Sequence, residues 1–338
     1  MINGEPHTLP ESDFTVVGAS FAGSLLASKL ARHGSVLLVD RRQPGTRLKC
    51  AGGIRAQEFE SLEVDIPHAK TSTIILASRN WTTRVKYPYV VTDRRELDAA
   101  VLAKAVAAGA VFRKAEYLSH SPDRNSADFR CDGETQEHRY RKLILAKGYI
   151  FRPGVKFYDT SYVEIVETES RYGDALYFRF HDERMGYSWI FPLPGGRINI
   201  GTGSLRGSSV SPADFKRFKE QEKVDGPVIC RGGGIIPLVP VKSVMNGNVF
   251  LFGDSAGMVY PPNGEGLRHI THMSGKWADC IAHGKNLNVR WLASRTFAMF
   301  DSGSIAMKIL AFMERRLGIM LYPQLCRLAT KLLAILRG

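Results

Sequence analysis

Two glycine-rich turns, each leading into helix-spaced apolar residues, are the parts of this sequence best suited to chemistry. In the first, Gly18-Ala19-Ser20-Phe21-Ala22-Gly23 follows the apolar run Phe14 to Val17. Gly18 permits a tight strand-to-helix turn, the small Ser20 lets the backbone approach a pyrophosphate, and Gly23 lets helix and strand pack closely. The helix that begins there points unbonded amides at an anion. Ser20 stands where the dinucleotide fingerprint has glycine, which adds a small side chain without blocking approach. A second apolar run, Val36 to Val39, ends on Asp40, about twenty residues beyond the turn, where a carboxylate can accept hydrogen bonds from ribose hydroxyls. Strand, turn, helix, strand and acid in this order describe a dinucleotide site, without deciding between a flavin and a nicotinamide.

The second turn decides. The run Val249 to Phe252 delivers Gly253-Asp254, and Asn263-Gly264-Glu265-Gly266 opens a helical stretch reaching Ile281. This arrangement is similar to the GD motif of flavoproteins with the aromatic-hydroxylase fold. The resemblance implies FAD, with Asp254 on the ribityl chain and the amides of Gly264, Gly266 and Leu267 facing the flavin. Three further strings, RLKCAGGI, VTDRRELDAAVLAKAVAAGA and GYSWIFPLPGGRINIGTG, resemble motifs of the geranylgeranyl reductase family. That likeness implies Arg41 and Arg94 against the adenosine diphosphate half. It implies Cys50, Ala51 and Gly52 at the isoalloxazine ring, and Tyr187, Trp189, Phe191 and Pro192 on a sheet that roofs a substrate channel. The motifs run in the family's order from Phe14 to about Ile281.

The implied reaction reduces carbon–carbon double bonds of a geranylgeranyl-type prenyl chain on a lipid, quinone or diphosphate. Reduced FAD supplies hydride to one carbon and a proton reaches the other. A prenyl chain offers no polar handle, so its channel must be apolar and aromatic. Cys50 is a candidate proton donor, a thiol near a reduced flavin and several cations, or a small residue packed beneath the ring. The sequence departs from relatives in two places. Lys147-Gly148 stands where the aromatic hydroxylases have Asp-Gly, which leaves the electron donor open between NADPH and a reduced carrier protein. The loop after Cys50 reads Ala-Gly-Gly where the reductases favour Gly-x-Gly. Two competing readings are a flavin-dependent monooxygenase or halogenase on the same fold, and a non-catalytic flavin- or lipid-binding protein at a membrane.

The elements that position these residues predict an α/β fold: an FAD-binding, Rossmann-like βαβ domain, an inserted antiparallel-sheet substrate domain and C-terminal helices. Residues 1–12 read as a flexible lead, 13–156 and 231–283 as the FAD-binding domain, 157–230 as the substrate domain and 284–338 as the helical region. Thr73 to Val91 alternates like strands, Arg94 to Ala108 reads as a helix, and Val111 to Leu118 and Lys142 to Ala146 as strands. Phe157 to Gly203 has the aromatic alternation of an antiparallel sheet, with a turn at Pro194-Gly195-Gly196. Ser211 to Glu222 is helical, and the last thirty or so residues form two helices broken at Pro323.

A chain of 338 residues, 44% hydrophobic and 23% charged, can bury a sizeable core. Its five widely spaced cysteines suggest neither a disulfide framework nor a zinc pair, which fits a reducing cytoplasm. No basic leader with an apolar stretch opens the chain, and no uninterrupted apolar run has the length of a membrane span. The formal charge of +13 predicts an anionic partner. Nucleic acid ranks last, because no recognisable module accompanies the charge. From Met307 onward Lys308, Arg315, Arg316, Arg327, Lys331 and Arg337 face the single acid Glu314 among apolar residues. Such a stretch either lies in an anionic membrane interface on the cytoplasmic face or packs on the core. His269 and His272 share a helix face but lack a third ligand, so no metal is expected.

Overall fold

The computed structural model describes residues 9–149, 158–205, 210–317 and 321–335. Most of the expected lead, the start of the substrate segment and Arg337 lie outside them. The chain opens with β1 (Phe14–Val17), α1 (Phe21–Leu30), β2 (Val36–Asp40), β3 (Gly53–Arg55), α2 (Ala56–Leu62), β4 (His68–Ser78), β5 (Trp81–Thr92) and α3 (Arg94–Ala107). Then come β6 (Val111–Lys114), β7 (Glu116–Ser121), β8 (Ser126–Cys131), β9 (Glu134–Arg139) and β10 (Lys142–Leu145). The middle holds β11 (Tyr158–Glu167), β12 (Leu176–Phe180), β13 (Gly186–Leu193), β14 (Arg197–Leu205), α4 (Pro212–Gln221) and β15 (Val228–Pro237). The last elements are β16 (Met245–Asn246), β17 (Val249–Leu251), α5 (Leu267–Ala282), α6 (Leu287–Leu292), α7 (Arg295–Leu317) and α8 (Tyr322–Ile335).

The first sheet has the order β16-β17-β10-β1-β2-β6, parallel except at its β16 edge. Its strands read as unbroken apolar runs because both faces are covered. Val16, Leu38 and Ile144 point toward α1, α3 and α5, whereas Val17, Val39 and Leu145 meet Ala127 and Phe129 of a small β7-β8-β9 sheet. That small sheet was not expected: the run Val111 to Leu118 splits into β6, which stays at the edge of the main sheet, and β7, which joins a separate antiparallel one.

The second sheet has eight strands in the order β15-β11-β14-β13-β12-β4-β5-β3. It is wider than the segment 157–230, because β3, β4 and β5 join it through a parallel β4–β12 pair. The substrate sheet is therefore assembled from two separated stretches of chain. The interruption near the C terminus falls between Leu317 and Tyr322, and Pro323 sits in the first turn of α8, where its missing N–H costs no helical bond.

Segment Arg295–Glu314 of α7 is long and apolar enough to cross a membrane, with mean hydropathy 1.2, although polar residues interrupt its apolar run. In the fold it packs Phe297 and Phe300 against Trp291, and Met307, Leu310 and Ala311 against Trp81 and Phe180.

Candidate functional site

The β1–α1 turn has the geometry its glycines foretold. Gly18 has φ +102°, and a Cβ there would lie 2.3 Å from the Ala146 carbonyl oxygen. At Gly23 a Cβ would lie 1.7 Å from the Gly18 oxygen, so neither position admits a side chain. Ser20 is extended and its hydroxyl does not cap α1, which leaves the helix start open to an anion. From the end of β2, Asp40 accepts hydrogen bonds from the Ala19 amide at 2.9 Å and the Arg42 amide at 3.0 Å. Arg41 is exposed beside it and faces Glu116 at 3.8 Å.

Gly253 brings the second motif onto the first. Its φ is +65°, and a Cβ there would come within 2.7 Å of the Ala22 methyl. Asp254 follows at the mouth of a recess: its side chain keeps accessible surface, yet protein walls it in. Burial pushes its carboxyl above the ordinary range, while Arg94 and Lys49 pull it back. Lys49 has the same character, exposed but enclosed, its ammonium disfavoured by burial and by Arg94.

Arg94 opens α3 and lies against the start of α1. Its Nε donates to Asp98 Oδ1 at 2.9 Å, and the Phe21 amide donates to the same oxygen at 3.0 Å. The guanidinium lies 5.3 Å from the Phe21 ring centre, with Cys50 among the groups that act on its charge. Burial opposes the Arg94 charge, and Asp98 and then Cys50 raise its pKa. One buried cation thus joins the helix start, the Cys50 loop and Asp254.

The Cys50 loop is clamped between the two sheets. Gly52 has φ +78°, its amide reaches Cys50 Sγ at 3.5 Å, and a Cβ would strike the Thr92 oxygen at 2.0 Å. Asn199, fully buried in β14, donates to the Cys50 carbonyl at 3.2 Å and accepts from Trp189 Nε1 at 2.8 Å. Ala51 packs with Trp189 and Phe191. Tyr187, Trp189 and Phe191 share the sheet face turned to this loop: Trp189 lies on Gly201, Phe191 against Gly53, and Tyr187 donates to the Asn263 carbonyl at 2.5 Å. Pro192 does not belong with them. Strand alternation turns it to the opposite face.

In the second glycine turn, the Gly264 amide is spent on the Tyr260 carbonyl at 2.9 Å, so it does not face a ligand as expected. Gly266 and Leu267 open α5 without a side-chain cap. His269 is a core residue, packed edge-on against Phe300, and burial and nearby cations push its imidazole down to about 4. His272 is exposed. Among the described residues no cluster of three possible ligands could hold a metal. A depression of about 610 Å³ against α4 contains none of these site residues.

Sequence reading gave no role to Lys49 and Asn199, which stand within its motifs, and passed over the Gly232-Gly233-Gly234 run. The signals were present: an asparagine flanked by isoleucines in Ile198-Asn199-Ile200, and three glycines inside a strand. Gly232 lets the Leu48 carbonyl press onto β15, where a Cβ would lie 1.9 Å away.

No family model matches the chain. Digeranylgeranylglycerophospholipid reductase 1 of Methanopyrus kandleri is 30% identical over 291 residues, covering 76% of each chain. The chain belongs to the geranylgeranyl reductase family. It is accordingly a flavoprotein oxidoreductase of that family. A second reductase of the same organism, digeranylgeranylglycerophospholipid reductase 2, is 29% identical over 310 residues, covering 80% of this chain and 77% of that one. Among solved structures, a geranylgeranyl bacteriochlorophyll reductase-like protein of Thermoplasma acidophilum superposes with TM-score 0.72 at 17% identity, covering 97% of this chain and 88% of that one. The flavin-dependent brominase Bmp2 superposes with TM-score 0.67 at 13% identity, covering 96% and 94%. Geranylgeranyl reductase family members and halogenases thus share this fold, and sequence similarity sides with the reductases.

Proposed function

We propose that this chain saturates carbon–carbon double bonds in the prenyl chains of a membrane lipid of the digeranylgeranylglycerophospholipid class, with FAD as its cofactor. One observation carries the reading. In a chain 30% identical to a reductase of such lipids, the aromatic face of Tyr187, Trp189 and Phe191 closes over the Cys50 loop.

The residues fit FAD. Gly18 and Gly23 make a cradle that a Cβ would fill, and the uncapped start of α1, with Ser20, Phe21 and Ala22, would receive the pyrophosphate. Asp40 and Arg41 would serve the adenosine side. Asp254, a recessed carboxylate with Arg94 and Lys49 nearby, would accept hydrogen bonds from the ribityl hydroxyls, and the amides of Gly266 and Leu267 would meet the pyrimidine edge. When bound and reduced by an outside donor, NADPH or a reduced carrier protein, the flavin supplies hydride. Cys50, Ala51 and Gly52 would lie along the ring, with Arg94 orienting the Cys50 thiol. Tyr187 and Trp189, their polar atoms already bonded within the protein, would offer the prenyl chain hydrocarbon and exclude water.

The C-terminal helices supply a route to a lipid substrate. Ile305, Ile309, Phe312 and Met313 on α7 and Leu325 and Leu328 on α8 are between 41% and 55% exposed. The α7 residues follow helical spacing along one face, and Arg316 lies over the Phe312 ring at 5.5 Å. Apolar side chains flanked by cations, on a chain of net charge +13, support peripheral docking on an anionic bilayer.

The test is product mass. Reduced, purified protein given a digeranylgeranyl phospholipid should add two hydrogens per double bond and reoxidise its flavin. Product carrying oxygen or halogen would overturn the reading in favour of the monooxygenase or halogenase alternative.

A further inference from the structure

We infer that Asp159 is the acid that delivers the proton to the alkene carbon not taking hydride, acting from the sheet face above the flavin recess. The inference rests on the reductase reading and names a residue which that reading leaves unused.

Strand register puts Asp159 on the working face. Ser161 pairs with Gly203, which pairs with Tyr187; Val163 pairs with Gly201, which pairs with Trp189. Two residues before Ser161, Asp159 therefore points the same way as Tyr187 and Trp189. Its Oδ2 would stand 3.1 Å from a Cβ at Gly203, so the carboxyl lies over that glycine, beside Tyr187. Ser161, Gly203 and Gly234 make this strip of sheet low. A Cβ at Gly234 would meet only the Lys49 carbonyl, at 3.8 Å. An acid at the edge of a strip without bulky side chains is where a chain lying on the sheet could be reached.

The surroundings keep the acid neutral. Asp159 is 3% exposed and its Oδ1 has no hydrogen-bond partner. Among the described residues only the backbone amides of Thr160 and Ser204 favour its charged form, and no cation bears on it. The ionisable groups around it are Tyr187 from β13 and Tyr322 from α8, with Cys326 beside Tyr322. Neither phenol lends Asp159 its proton. Tyr187 donates to the Asn263 carbonyl at 2.5 Å and Tyr322 to the Pro262 carbonyl at 2.7 Å. Burial then pushes the Asp159 carboxyl up to about 7, which makes a neutral acid available near physiological pH.

The step balances. Reduced flavin gives hydride to one carbon and is oxidised by two electrons. The π pair of the double bond forms the second C–H bond with the Asp159 proton, the alkene is reduced, and the carboxylate left behind regains a proton from solvent.

The test uses flavin-loaded wild-type, Asp159→Asn and Asp159→Glu proteins, each reduced with dithionite and mixed with a digeranylgeranyl phospholipid in vesicles. Substrate-driven flavin reoxidation should slow by at least about 100-fold in the Asn variant, the scale of a lost general acid, with flavin content unchanged. Independently of turnover, infrared difference spectra across pH should contain a protonated-carboxyl band that disappears above about 7 and is missing from the Asn variant. An Asn variant as fast as wild type, or a wild-type protein without that band, would overturn the inference alone. Wild-type protein whose flavin no prenyl lipid reoxidises would overturn the reductase reading, and this inference with it. If the Asn variant loses flavin, the Glu variant decides: a displaced alkaline limb in its rate profile supports the inference, and an unmoved limb overturns it.

Discussion

At single residues, close contacts set what the site tolerates. Gly23→Ala would drive a methyl into the Gly18 carbonyl, where 1.7 Å is available. The backbone must move, and the variant should lose about 3 kcal/mol or more in urea unfolding. Asp254→Ala removes a carboxylate proposed to hold the ribityl chain; losing hydrogen bonds to a charged acceptor costs about 1.5–3 kcal/mol, so flavin should bind about 10- to 100-fold more weakly in a fluorescence titration. Asp159 carries a stability signature of its own. Its carboxyl titrates at about 7 when folded against 3.8 for an exposed aspartate, so the folded chain binds the proton more tightly. The stabilisation from that proton is full below the unfolded value and is lost as pH rises through the folded one, by at most about 4 kcal/mol. Asp159→Asn should therefore gain in melting temperature on wild type between about pH 4 and 7, and equal pH slopes would refute this.

At the scale of elements, β13 and β14 act as one plate hung from the Cys50 loop. Asn199 has both ends occupied, holding the Trp189 indole in place and gripping the Cys50 carbonyl. Asn199→Leu leaves the buried Trp189 Nε1 without an acceptor, a loss of about 1–3 kcal/mol in denaturant unfolding. It also frees the loop, so the variant should lose flavin affinity although Asn199 lies on the sheet rather than in the dinucleotide turns. Full retention of flavin would show that the loop is held by its glycines alone. The same plate explains Pro192: within a motif read as a block, alternation sends three side chains to one face and the proline to the other.

For the whole molecule, α7 and α8 pack on the substrate sheet at β5 and β12, burying Met307, Leu310 and Tyr322 against Trp81 and Phe180 while leaving an apolar strip outside. Docking on lipid predicts that Ile309→Asp together with Phe312→Asp abolishes flotation with anionic vesicles while flavin content stays at the wild-type level. Raising salt should weaken wild-type binding through its cations without removing the apolar part. Vesicle binding unaffected by both changes would assign the strip to another partner.

The amino-acid sequence by itself determined the glycine turn before α1, the placing of Asp40 and Asp254 after strands, and the flavoprotein fold. These depend on local backbone requirements, glycines where no Cβ fits and acids at strand ends, and local requirements leave local patterns. Tertiary structure decided what depends on residues far apart in the chain. It brought Gly253 onto Ala22, set Arg94 beside Phe21 and Asp98 at the start of α1, and joined strands of residues 53–92 to the substrate sheet. It spent the Gly264 amide on Tyr260. It also set Asp159, an unremarked acid in an alternating strand, beside Tyr187 and Tyr322, with no cation bearing on it among the described residues. A side chain's charge is settled by what surrounds it in space, and Tyr322 comes to Asp159 from the far end of the chain.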